Sequence, residues 1–131
     1  MRKILSITLF ALAILISANL SASAQHGYTV EKPLKFAAGK SVVVRRGRVP
    51  DTLESHTYIL KAPAGQTLYI EFESKNPNVS FMVLDAEDNQ IGEAASKKRS
   101  WKSELPAAGE YRILVHSIEG AGNYALTVRI K

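Results

Sequence analysis

The chain contains no cysteine, which removes disulfides, thiol nucleophiles and thiolate metal sites together. Packing alone must therefore hold the fold, even in an oxidising compartment. Histidine is scarce as well, with only His26, His56 and His116. No two of them share helical or hairpin spacing and no HExxH pair exists, so each reads as a surface or strand-end residue. There is no GxSxG elbow, and the serines lack visible acid–base partners. These gaps exclude the common catalytic constellations and call for no cofactor.

A large excess of one charge is also missing. The chain carries 17 Lys plus Arg against 12 Asp plus Glu. Long apolar stretches are absent except at the start, where Ile4 to Leu20 is almost wholly apolar behind Arg2 and Lys3. Ala22-Ser23-Ala24 then supplies the small-x-small pattern of a signal-peptidase site. The expected organisation is a cleaved signal peptide over residues 1–24 and one domain over 25–131. An uncleaved anchor is the alternative, since the stretch sits near the lower length for a span. With no cysteine behind it, a lipoprotein anchor is excluded. The expected address is a bacterial periplasm or beyond, with no membrane span in the mature chain. Removing Arg2 and Lys3 leaves 15 basic against 12 acidic residues. That mild balance argues against a nucleic-acid partner.

What the chain does contain is one phrase written three times. Ala38-Gly39-Lys40, Ala64-Gly65-Gln66 and Ala108-Gly109-Glu110 each precede a run of alternating apolar residues. Glycine turns at positive φ at no steric cost, and a period-2 run behind it gives a strand with one buried face. Strands are expected at Lys40–Arg46, His56–Ala62, Thr67–Ser74, Ser80–Asp85, Gln90–Ala94, Ser100–Leu105, Glu110–Ser117 and Asn123–Ile130. Gln25 to Pro33 reads as a leader or a first edge strand. Turn chemistry recurs at roughly 8–12-residue spacing, the signature of a sandwich or barrel. The expected fold is all-β: a single antiparallel β-sandwich of about eight strands, of jelly-roll type.

Alternation also sorts the side chains. Tyr58 and Leu60, with Leu68, Ile70 and Phe72, are expected to line one face of two neighbouring strands. Phe81, Val83, Tyr111, Ile113, Val115, Tyr124, Leu126, Val128 and Ile130 continue it. Glu71, Glu73, Arg112, Thr127 and Arg129 fall on the solvated side. Basic residues at alternate positions of the last strand are read as protecting a sheet edge.

The string His56 to Phe72, HTYILKAPAGQTLYIEF, resembles the bacterial pre-peptidase C-terminal-like domains, which are small secreted β-sandwiches. Leu105 to Tyr111 matches a second landmark of that pattern, and Tyr124 to Val128 its closing strand. Within this architecture the chain is similar in size and layout to the periplasmic inhibitors of goose-type lysozyme. The phrases that carry this likeness are Gly39 to Val42, Thr57-Tyr58 with Gly65-Gln66, and Leu105 to Tyr111. The resemblance implies a secreted, non-catalytic binding protein whose partner is a protein, a goose-type lysozyme. The other reading is an envelope or carbohydrate-binding module that meets a cell-envelope glycan.

Candidate contacts are then the two basic clusters: Arg45, Arg46 and Arg48, and Lys97, Lys98 and Arg99. Alternation points Arg46 and Arg48 the same way, and a guanidinium fork holds carboxylates or phosphates in two places at once. Both clusters also read as ordinary solvated loop charge. Trp101 divides between a core position, which its neighbours Ser100 and Lys102 favour, and an exposed anchor. Tyr28 and Tyr69 are better candidates for exposed aromatics, Tyr69 lying opposite Leu68 and Ile70. Asp85 to Asn89 offers carboxylates for calcium, but a hairpin turn explains it more simply.

Overall fold

The computed structural model describes residues 27–92 and 99–131. Eight strands follow in order: β1 (Tyr28–Pro33), β2 (Val42–Val49), β3 (Glu54–Ala62), β4 (Thr67–Ser74), β5 (Val79–Leu84), β6 (Ser100–Glu104), β7 (Gly109–Ser117) and β8 (Gly122–Ile130). They form two four-stranded sheets, ordered β1-β3-β7-β5 and β2-β8-β4-β6. The inner faces meet in one core, where Phe72, Phe81, Leu60, Leu68, Ile70, Ile113 and Leu126 are fully buried. Each such side chain contributes about 1.5–3 kcal/mol relative to exposure. Phe72 joins the halves, its ring centroid 5.3 Å from Phe81 in one sheet and 5.7 Å from Tyr124 in its own. The result is an all-β sandwich.

The three repeated phrases are turns, and Gly39, Gly65 and Gly109 all have positive φ. The second is fastened to Leu105: the Gly65 amide donates to the Leu105 carbonyl, and the Leu105 amide to that of Gln66. The Tyr111 hydroxyl closes the loop before β7 by bonding the Ala107 backbone. The Leu105 to Tyr111 string crosses from β6 in one sheet to β7 in the other.

Four expectations need correction. Tyr58 and Leu60 do not share a face of neighbouring strands with Leu68, Ile70 and Phe72, because β3 and β4 lie in different sheets. All five are buried in the core that the two sheets share. The last strand is not an edge: β8 is paired on both sides, with β2 and β4. Arg129 therefore stands on the outer surface of a central strand. The first strand is an edge, but it pairs parallel with β3 while the other pairs are antiparallel. Of the strand expected at Gln90–Ala94, Gln90 forms an isolated bridge to Leu84 and the Ile91 amide donates to Val83. Positions beyond Gly92 there lie outside the described residues, as do the signal-peptide segment and His26.

Candidate functional site

The cross-strand register turns the outer face of the second sheet into a grid. One row runs Val42, Arg129, Tyr69, Lys102, and the next Val44, Thr127, Glu71, Ser100. Below them Arg46 stands opposite Ala125 beside Glu73, and Arg48 opposite Asn123. Alternation along β2 puts Arg46 and Arg48 on this face, where both are exposed. Their neighbours Ala125 and Asn123 are short, so the guanidinium groups project rather than pack. Arg48 Nη1 reaches Asn123 Oδ1 at 3.5 Å. Among the described residues, Arg46, Arg48, Lys102 and Arg129 form no ion pair; the arginine pairs there belong to Arg112.

Two depressions mark the face. One, of about 490 Å³, lies across β6, β4 and β8 and is lined by Tyr69, Glu71, Ser100, Lys102, Thr127 and Arg129, with Ile70 and Trp101. Lys131 adds a cation there, its Nζ 5.9 Å from the Tyr69 ring centroid. The other, of about 730 Å³, lies at the opposite end and includes Arg46, Arg48, Glu73, Lys75 and Asn123. Alternation thus brings Arg46, Arg48 and Tyr69 to one surface.

The remaining candidates are placed elsewhere. Arg45 shares the inward register of Leu126, is half-buried, and bonds the Val44 carbonyl at 3.0 Å. Arg99 lies at the edge of the sandwich, its guanidinium 5.4 Å from the Phe72 centroid and donating to the Val79 carbonyl at 2.8 Å. It therefore spends its donors on the turn before β5. Trp101 is paired with Ile70 and is 7% exposed, a core position on an edge strand. Lys97 and Lys98 lie outside the described residues. Tyr28 is exposed and donates to Glu54 Oε1 at 2.9 Å.

A second polar cluster was missed in the sequence. His56 is buried, not superficial, with Nδ1 2.7 Å from the Tyr124 hydroxyl and Nε2 2.8 Å from Glu54 Oε2. The Tyr58 hydroxyl stands 2.6 Å from that of Tyr124. His56 is two positions before Tyr58, so period-2 alternation already aimed it inward. The bond to His56, with that from Tyr28, holds the Glu54 carboxyl below its ordinary value. Burial, with the Tyr58 hydrogen bond, pushes the Tyr124 phenol up. The chain of contacts joins β3 of one sheet to β8 of the other.

The acidic segment is a turn. Asp85 Oδ1 accepts from the Glu87 and Asn89 amides at 2.9 and 2.8 Å. Those bonds, with Asn89 foremost, lower the Asp85 carboxyl. Asp88, at φ 63, turns its carboxylate to Arg112 at 3.1 Å. Among the described residues no group of three or more His, Asp or Glu could hold a metal ion, and no helix is long and apolar enough to cross a membrane.

Comparison with solved structures gives the fold its relatives. Aeromonas hydrophila PliG, a periplasmic lysozyme inhibitor of g-type lysozyme, superposes with a TM-score of 0.70 at 24% identity, over 79% of this chain and 97% of that one. Salmonella Typhimurium PliG gives 0.60 at 18% identity, over 77% and 97%. The pre-peptidase C-terminal domain of Bacillus anthracis collagenase gives 0.58 at 13%, over 79% and 96%. Both resemblances drawn from the strings at His56–Phe72 and Leu105–Tyr111 are thereby met at the level of fold. No family model matches the chain, and no curated protein matches it by sequence.

Proposed function

We propose that the protein is a secreted, non-catalytic inhibitor of a goose-type lysozyme, acting through the outer face of its second sheet with Arg46 and Arg48 foremost. The observation that carries this reading is the set of outward guanidinium groups without ion-pair partners among the described residues, on a sandwich shared with inhibitors of g-type lysozyme. An unpaired arginine keeps its fork free for a carboxylate on another molecule, where the bond is charge-assisted and two-pronged. A glycosidase cleft presents such carboxylates, because cleavage of glycosidic bonds runs on Asp and Glu. On this reading residues 1–24 are removed on export and residues 25–131 work in the periplasm or outside the cell.

The test is a lysis assay on cell walls with goose-type and hen-type lysozymes and increasing amounts of the protein. Saturable inhibition of the goose type, reduced at least tenfold in the double variant Arg46→Glu, Arg48→Glu, is the expected result. No inhibition by folded protein, or full inhibition by the double variant, would remove the reading or its surface respectively.

A further inference from the structure

We infer that the groove around Tyr69 is a second binding site, for an acidic saccharide whose ring stacks on Tyr69 and whose carboxylate lies between Lys102 and Arg129. This site goes beyond lysozyme inhibition and uses the end of the face away from Arg46 and Arg48.

Register creates the arrangement. Tyr69 on β4 has Lys102 of β6 directly opposite on one side and Arg129 of β8 directly opposite on the other. Directly opposed side chains in antiparallel strands stand about 4.5–5.5 Å apart at Cβ. An aromatic ring is thus bracketed by two cations, and Lys131 brings a third within 5.9 Å of its centroid. Among the described residues neither Lys102 nor Arg129 has an ion-pair partner. One row away stand Glu71, Ser100 and Thr127, all lining the same groove.

Each lining group narrows the ligand. The cations require an anion, and Arg129 offers a planar fork suited to a carboxylate. The ring of Tyr69 is an apolar body with a polar tip, which suits a molecule with one apolar face and a hydroxylated rim. Glu71 decides between the remaining classes. Its carboxylate accepts hydrogen bonds from sugar hydroxyls, donors that a polyphosphate and the side chains of an acidic peptide lack when ionised, and Ser100 and Thr127 add hydroxyls of matching kind. A neutral sugar would leave Lys102 and Arg129 without counter-charge. The volume, about 490 Å³, falls within the roughly 300–1,000 Å³ of small-ligand sites.

The purified protein is titrated with trigalacturonate, with its methyl ester, and with hexaglutamate, following the heat of binding. Saturable binding of trigalacturonate is expected, with the ester and hexaglutamate each at least tenfold weaker. Tyr69→Phe should bind as before, while Tyr69→Leu and Arg129→Gln should each lose at least tenfold. Lys61→Gln, which removes an exposed cation on β3, should bind unchanged. Urea melts establish that each variant is folded, and Arg129→Gln alone decides the matter should Tyr69→Leu not fold. Equal binding of acid and ester, hexaglutamate matching the saccharide, full binding by folded Arg129→Gln, or no binding of trigalacturonate would each overturn the assignment.

Discussion

The Tyr124 hydroxyl stands 2.7 Å from His56 Nδ1 and 2.6 Å from the Tyr58 hydroxyl, tying β8 of one sheet to β3 of the other. Glu54 at His56 Nε2 can only accept when ionised, so with the ring neutral Nε2 carries the proton and Nδ1 accepts. Tyr124 then donates to His56, and Tyr58 to Tyr124. Tyr124→Phe strands an acceptor and a donor in the core, at a cost of about 1–3 kcal/mol. Tyr58→Phe removes only the terminal donor and costs about 0.5–1.5 kcal/mol. Urea unfolding should rank them in that order; equal costs would mean that the Tyr124 hydroxyl is not the hub.

The same hydroxyl explains a glycine inside β2. A Cβ at Gly47 would lie 2.5 Å from Tyr124 Oη and 2.7 Å from Cζ. Gly47→Ala should therefore destabilise by about 1–3 kcal/mol, the usual cost of overpacking. In a Tyr124→Leu background the ring is gone, and the alanine should cost less than half as much. A cycle of four denaturation curves measures the difference, and additivity would contradict the close approach.

Strands and turns were legible because they depend on local chemistry. The inward set Leu68, Ile70, Phe72 is period-2 and follows a glycine at φ 85, and β4 begins and ends where that pattern does. Sheet membership was not legible, since parity says which face a residue uses and not which sheet its strand joins. Parity alone thus makes neighbours of Tyr58 and Leu68, whose strands lie in opposite sheets. Of the outer face, the outward direction of Arg46, Arg48 and Tyr69 could be read, each from its own strand. Lys102 and Arg129 could not be placed beside Tyr69, because that proximity exists only once β6, β4 and β8 are in register. Arg99 misled because charge reports nothing about an inward path to Val79 and Phe72.

Stability should fall in acid in two stages. Burial lowers the His116 pKa, so the unfolded chain takes up a proton first, below about pH 6.5. Stability is full above that value and declines as pH falls from it toward the lowered native pKa. Glu54 and Asp85 are also lowered, by hydrogen bonds from His56 and from the Asn89 amide respectively. Their stabilisation is present above about pH 4, the ordinary carboxylate range, and is lost as pH falls through their native values. Midpoints of urea unfolding from pH 8 to 3 should show both legs. His116→Gln should flatten only the upper one, and Glu54→Gln should weaken the lower one.

The two arginine groups should separate cleanly. Arg99 donates to the carbonyls of Val79 and Asn76 and packs 5.4 Å from the Phe72 centroid, so it fastens the turn between β4 and β5. That turn is itself built on Asn76, whose Nδ2 holds the Glu119 and Ala121 carbonyls at 3.0 Å each. Arg99→Ala therefore removes a part-buried charge-assisted bond and should cost about 1.5–3 kcal/mol. Arg46 and Arg48 project from an outer face with one long contact to Asn123 between them, so their joint reversal should shift stability by no more than about 0.5 kcal/mol. Lysozyme inhibition should respond in the opposite order: nearly unchanged in Arg99→Ala while the variant is folded, and lost in the Arg46, Arg48 pair. Raising salt should weaken inhibition by the wild-type protein and leave less to lose in the pair, since exposed charges are screened over a Debye length of about 8–10 Å. A variant at Arg99 that kept its stability but lost inhibition would move the contact surface to the sandwich edge.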